Sequence, residues 1–292
     1  MAKETAVTQK PKESEITGLV LNRINTFVEA GELVLPKDYS PANALKAAWL
    51  ILQETQDSNK QPVLVSCSQE SIANSLLKMV VWGLSPLKKQ GDFIPYAGKL
   101  DFVPEYTGNI VLAKRYGGLA ENPVANAIYK GDVFEFTIDP ATGRKTVTKH
   151  EQKLENLGGE VVGAYCTYKE VNGNVNTEIM NILQIKNAWN QRKGNGLSPA
   201  HTNFSDEMAK KTVINRAMKL LIRGAADGNI LAVAGDKDDD TTKETKQDEV
   251  KKTITLEQGK ETIYFEGHAS EPEPVEVVEV KEPVKEENEA PF

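Results

Sequence analysis

Histidine occurs three times in 292 residues and cysteine twice, and both scarcities exclude chemistry. His150, His201 and His268 form no HExxH or Hx3–5H spacing, so zinc hydrolysis finds no ligand set. Cys67 and Cys166 stand far apart without a CxxC, which sets aside a disulfide framework or structural zinc and agrees with a reducing cytoplasm. Both read as small buried hydrophobes. Long apolar runs are missing as well: none approaches the roughly 18 residues of a membrane span, and the opening MAKETAVTQK lacks the features of a signal peptide. No GxxxxGK[ST] phosphate loop occurs; the nearest string, GDFIPYAGK, has the wrong spacing and no following hydroxyl residue. GxGxxG and GxSxG are absent too. A motor powered by ATP is thereby disfavoured, and a binding protein is favoured over an enzyme.

What is present is charge, unevenly spread. The formal net of −7 conceals a segment from Asp236 to the end with 18 acidic and 8 basic residues, net −10, and a body, 1–235, of +3. Such asymmetry points to a polyanionic partner, with the tail able to compete for the same surface.

Along the body the apolar periodicity changes twice. Residues 1–14 carry no pattern and are expected to be disordered. Ile16, Leu19, Val20, Ile24, Phe27 and Val28 then repeat at helical spacing. Ser40-Pro41 supplies an N-cap and first-turn proline for a second helix, with Leu45, Ala48, Trp49 and Leu52 inward. Ser68 caps a third, holding Ile72, Leu76, Met79 and Val80 inward, and Gly83 and Pro86 stop it. From 91 the pattern becomes extended: two short runs around Ala97-Gly98-Lys99, with Pro95 and Pro104 arguing against central strands. A helix through Asn109, Ile110, Leu112 and Ala113 ends at Gly117-Gly118. Strands follow at 124–130, 132–138 and 145–150, and EVVGAYCTYKEV and VNTEIMNIL are joined by the turn pair Asn172-Gly173. Residues 183–193 look helical, 194–204 reads as a loop, and a last helix fills 206–225. The predicted class is α+β, helical lobes flanking a central antiparallel β-sheet, with 15–235 as one folded unit. The tail 236–292 is too polar to offset chain entropy and is expected to be mostly disordered, apart from a small hairpin within 253–266.

The last helix, DEMAKKTVINRAMKLLIRGA, gathers positive charge. Ala209, Val213, Ile214, Ala217, Met218, Leu220 and Leu221 fall on one half of its wheel; Lys211, Arg216, Lys219 and Arg223 fall on the other, with Thr212 and Asn215. Lys210 and Ile222 break the pattern. No acid between 209 and 223 sits at i±4 to neutralise the basic face. Ordinary surface helices mix signs, so this one reads as a polyanion-binding face. Further cations, Lys88, Lys89, Lys99, Arg115, Lys186 and Arg192, lie near the aromatics Tyr96, Phe102, Tyr106, Tyr116 and Trp189. Cations that follow a phosphate backbone, interleaved with rings that stack on bases, are what single-stranded nucleic acid requires. Taken singly, most of these rings suit the core; Trp189, in KNAWNQRKGN, suits it least. The candidate phosphate clamps are therefore Lys211, Arg216, Lys219, Arg223, Lys186 and Arg192, then Lys88, Lys89, Lys99 and Arg115, with Tyr106 and Trp189 for stacking. Two metal readings are weaker. Asp238-Asp239-Asp240 lies in low-complexity sequence without a rigid scaffold, and a nuclease would have to assemble Asp101, Glu105 and Asp132.

GLSPLKKQGDFIPY (83–96), YTGNIVLAKRYGG (106–118), GAYCTYK (163–169) and DEMAKKTVINRAMKLL (206–221), in this order and spacing, resemble the RecT family of phage single-strand annealing proteins over roughly residues 15–225. Tyr106, Gly108, Arg115, Met208, Lys211, Thr212, Arg216 and Lys219 fall at matching motif positions. Phe204 stands where relatives often have tryptophan, and LLIRGA lacks a proline that often follows. The resemblance implies a protein of a Gram-positive prophage, acting in the host cytoplasm. It would coat single-stranded DNA, pair it with a complementary strand without ATP or another required cofactor, and assemble into rings or helical filaments. The implied partners are the annealed duplex intermediate and a 5′→3′ exonuclease. The acidic end EENEAPF also resembles the acidic, Phe-ending tip of bacterial single-strand-binding proteins, which would let it use the same docking pockets, and a host single-strand-binding protein is a further expected partner. A passive single-strand protector is the alternative reading.

Overall fold

A computed structural model describes residues 12–190 and 197–225, together with two short strands at 254–256 and 263–265. Three helices open the body: α1 (Glu13–Glu29), α2 (Pro41–Glu54) and, after the single turn α3 (Val63–Ser66), α4 (Gln69–Val81). Their starts follow from local chemistry. The hydroxyls of Ser40 and Ser68 accept from the amides of Asn43 and Ser71, meeting donors that the first helical turn leaves unpaired. At the end of α4, Gly83 takes a φ of +62°, and the amides of Gly83 and Leu84 return to the carbonyls of Val80 and Met79. Helix α1 already begins at Glu13, two residues ahead of the expected boundary. Ile16, Val20 and Ile24 are buried as expected, whereas Val28 is exposed. It lies in the last turn, where the chain folds back so that Leu33 is buried instead and donates its amide to Phe27.

The next segment forms a hairpin, β1 (Gly91–Tyr96) with β2 (Lys99–Pro104), turned by Ala97 and Gly98 at φ +48° and +76°. It carries both prolines without cost because it has no third strand. Helix α5 (Tyr106–Arg115) follows. Then come β3 (Val124–Tyr129), β4 (Val133–Ile138), β5 (Lys145–Glu151), β6 (Val161–Lys169) and β7 (Val175–Asn181), and the helices α6 (Ile182–Asn190), α7 (Pro199–Asn203) and α8 (Ser205–Arg223). The fold class is α+β, with antiparallel pairing throughout. The expected central sheet is divided, however: β3-β6-β7 form one three-stranded sheet, while β4-β5 is a separate two-stranded hairpin. The register shifts at Ile128/Tyr129, the end of β3, and at Glu135/Phe136 within β4. Helix α7 occupies part of the stretch read as loop, because Ser198-Pro199 starts a helix as well as ending one. The Asn172-Gly173 turn is longer than a two-residue reading requires. Lys169 pairs with Val175, only Gly173 has positive φ, and the Asn172 carboxamide accepts from the amide of Asn174.

One hydrophobic core runs from Ile16 through Trp49, Leu76, Phe102 and Cys166 to Met218 and Ile222, so helices and sheet form a single body. Beyond it, Ile254–Leu256 (β8) pairs antiparallel with Ile263–Phe265 (β9); the readings of 1–11, of the rest of the tail and of Arg192 fall outside the described residues.

Candidate nucleic-acid interface

Helix α8 is held on several sides. Ala209, Val213, Ala217 and Met218 are buried where it crosses the β3-β6-β7 sheet. Its first turn is tied down by the Tyr129 hydroxyl, which donates to Asp206 at 2.9 Å. Alongside runs α5, in the same direction: Tyr106 faces Lys211, the Asn109 amide donates to Asn215 at 2.9 Å, and Gly117 meets Leu221. This neighbour rotates the buried sector from the one drawn on a helical wheel. Ile222, expected outward, is buried; Leu220, expected inward, is 66% exposed. A wheel counts only hydrophobicity and has no knowledge of a helix arriving at one flank.

The cations divide accordingly. Arg216, Lys219 and Arg223 recur at i, i+3 and i+7 and share one stripe with Leu220. Lys186 is exposed on α6, one turn before Trp189. The Trp189 indole donates to the Thr212 hydroxyl at 2.8 Å, and Thr212 donates in turn to the Met208 carbonyl. Since Thr212 lies one turn before Arg216, this bond sets α6 beside the stripe. Arg216, Lys219 and Arg223 thus share one face of α8, with Trp189, one turn after the exposed Lys186, half-buried at its start and the His201 ring 4.8 Å from it.

Arg216 does have an acidic neighbour, which corrects the reading of an unopposed face: its Nε lies 3.0 Å from a carboxylate oxygen of Glu178 on β7. That partner comes from a distant strand, so no i±4 count finds it. Lys211 stands on the other flank, with its ammonium 5.7 Å from the centre of the Tyr106 ring. Lys88 and Lys89 are exposed on the turn before β1, and the Thr107 hydroxyl donates to the Lys89 carbonyl, which sets Lys89 at the first turn of α5 near Tyr106. Lys99 is exposed at the β1–β2 tip beside Tyr96, which is 77% exposed. The structure therefore brings Lys211 and Tyr106 together, ties Lys89 to α5 only through its backbone, and sets Lys99 on the β1–β2 tip.

Arg115 has a different surrounding. Its guanidinium donates to the carbonyls of Trp82 at 3.1 Å and Gly83 at 2.9 Å, where α4 ends. It completes the C-terminal cap of that helix, a task that a cation suits because the last carbonyls of a helix are unpaired and partly negative.

The three carboxylates of the nuclease reading do not meet. Asp101 pairs with Lys78 at 2.8 Å on β2. Asp132 sits in the β3–β4 turn with no accessible side-chain surface, accepting from the Tyr129 amide, Gln152 and Asn156, with His150 at 3.4 Å. Burial pushes its carboxyl up, but these donors outweigh burial and hold it at about 2. His150 continues the network to the Tyr165 hydroxyl at 3.0 Å. Among the described residues no three His, Cys, Asp or Glu side chains gather to hold a metal ion. Both cysteines are buried, and burial pushes the Cys166 thiol up to about 12, away from thiolate chemistry. No helix among the described residues is long and apolar enough to cross a membrane.

An α+β body with a lysine- and arginine-bearing helix face flanked by tryptophan has the make-up of a nucleic-acid-binding scaffold. The RecT family model matches residues 42–254, and the chain belongs to that family, whose role is single-strand annealing in phage recombination. The match begins inside α2 and leaves α1 outside it. No curated protein matches the sequence. Seen in three dimensions, several of the motif positions are joints of the fold. Gly108 admits the Gln90 carbonyl, Arg115 caps α4, Thr212 anchors Trp189, and Lys211 covers Tyr106.

Proposed function

We propose that the chain lays single-stranded DNA along the edge formed by Lys186, Arg216, Lys219 and Arg223 and pairs it with a complementary strand without nucleotide hydrolysis. The carrying observation is that stripe of three cations on α8, extended by Lys186 through the Trp189–Thr212 bond. Glu178 orients Arg216 through Nε, and an arginine fork has further donors for a phosphate. Two bare strands repel through their phosphates. A strand on a cationic edge releases condensed counterions, which lowers log K by about 0.7 per phosphate contact for each log unit of salt. With the backbone held and base edges outward, stacking of about 1.4 kcal/mol per step drives pairing with no other fuel. Copies set side by side, in a ring or a filament, would extend the edge over many nucleotides and turn homology testing into zippering. A 5′→3′ exonuclease exposing the strand, and a host single-strand-binding protein on it, are the partners this role calls for.

The test replaces Arg216, Lys219 and Arg223 together by alanine. Three lost phosphate contacts should flatten the salt dependence of binding to a dT oligonucleotide by about 2 log units per log unit. Unchanged affinity and slope would remove α8 from the interface. Mixing labelled complementary oligonucleotides without nucleotide separates active pairing from protection, since a passive coat leaves the hybridisation rate at or below the protein-free value.

A further inference from the structure

The edge on α8 ends at Arg223, and two residues later the described body ends, with the acidic segment still to come. Asp236 follows Arg223 by only 13 residues. Fully extended, 13 residues span up to about 45 Å, whereas Arg216 to Arg223 covers about 10 Å of helix. The chain is thus long enough to return to the stripe it has just left. The chemistry of the two is matched. From Asp236 onward 18 acidic residues face 8 basic ones, while α8 carries no acid after Glu207. Leu220, 66% exposed, interrupts the stripe between Arg216 and Arg223, and the stretch PVEVVEV within 274–280 alternates valine with glutamate. Most of this segment also lies past residue 254, where the family match stops.

We propose that residues 275–289, the glutamate-rich end of the acidic segment, dock on the Lys186–Arg216–Lys219–Arg223 edge of their own chain and are displaced by DNA. This rests on the DNA-binding reading of that edge. The docked segment acts as an internal polyanion that sets a threshold for DNA binding. Short or weakly held strands fail to displace it, and a long strand spanning several copies succeeds. Because part of the counterion release on DNA binding is offset by release of the segment, the intact chain has a shallower salt dependence than its cations alone predict.

The experiment uses the full chain with six substitutions: Glu276→Gln, Glu279→Gln, Glu282→Gln, Glu286→Gln, Glu287→Gln and Glu289→Gln. They reduce the segment's net charge from −10 to −4. The variant should bind a dT oligonucleotide about fivefold more tightly at low salt, with a steeper salt slope, and the gain should vanish as salt screens both. A zero-length carbodiimide cross-linker, applied to dilute unsubstituted chain, should join 275–289 to Lys186 or Lys219 within one polypeptide, and added oligonucleotide should abolish these links. Equal affinities of the two chains overturn the inference, as do cross-links confined to other lysines, which would leave only a long-range charge effect. Failure of both chains to bind DNA at any salt would instead overturn the DNA-binding reading beneath it.

Discussion

Arg115, Lys211 and Arg216 carry the same charge in three surroundings, and their surroundings separate their tasks. The first donates to the carbonyls that end α4, the second lies over the Tyr106 ring, and the third is held by Glu178 at an exposed edge. A guanidinium with two backbone acceptors is committed to the fold, whereas one with a single carboxylate partner still offers donors outward. The acidic counterpart is Asp132. Its carboxyl is lowered from 3.8 to about 2, so the stability it contributes is complete above 3.8 and is lost as pH falls through 2. Asp132→Asn, which turns a donor toward the donors of Gln152 and Asn156, should therefore cost about 2 kcal/mol at pH 7. Urea unfolding at successive pH values should show the gap to the parent closing between pH 4 and pH 2. A gap that persists to pH 2 would assign the cost to shape, with no part from charge.

Between elements, the parallel crossing of α5 and α8 decides which surface of α8 remains for a ligand. The seat of α5 on its other side depends on Gly108, where a Cβ would stand 1.9 Å from the Gln90 carbonyl oxygen in the turn before β1, backbone that cannot step aside. Gly108→Ala should cost about 3 kcal/mol, as overpacking of a tight contact does. Gly18→Ala, in α1 with nothing within 4 Å, should stabilise by about 0.5 kcal/mol through helix propensity. Thermal unfolding of the two variants checks the contrast; equal shifts would show that the α5 contact is not tight. The element boundaries themselves were readable in sequence wherever a local device sets them: Ser40 and Ser68 as caps, Gly83 as a stop, Ala97-Gly98 as a turn. They were misread where a neighbour intervenes, as in the split between β3-β6-β7 and β4-β5 and the orientation of Leu220 and Ile222, and where one signal serves two ends, as Ser198-Pro199 does at the short α7.

For the molecule as a whole, the mildly basic body, 1–235, is followed in sequence by the acidic segment that begins at Asp236, 13 residues after the end of α8. Contacts made only to phosphates carry no base information. Homopolymeric dT and mixed-sequence oligonucleotides of equal length, the latter free of internal pairing, should thus bind within about twofold of each other in competition titrations. A tenfold preference for one sequence would require contacts to base edges that this edge does not provide.

Periodicity, caps, turn residues and charge counts were enough, by themselves, for the α+β class, nearly all the helices and strands, and a cationic last helix, because each depends on neighbours within a few positions along the chain. The tertiary structure alone decided that Glu178 meets Arg216, that Arg115 closes α4, that Trp189 reaches Thr212 and that Leu220 faces solvent. Each of those joins residues from different elements, 23 to 38 positions apart for the three contacts and through the α5 crossing for Leu220. Electrostatic and packing energies depend on distance in space, and sequence distance carries that information only inside a single helix or turn.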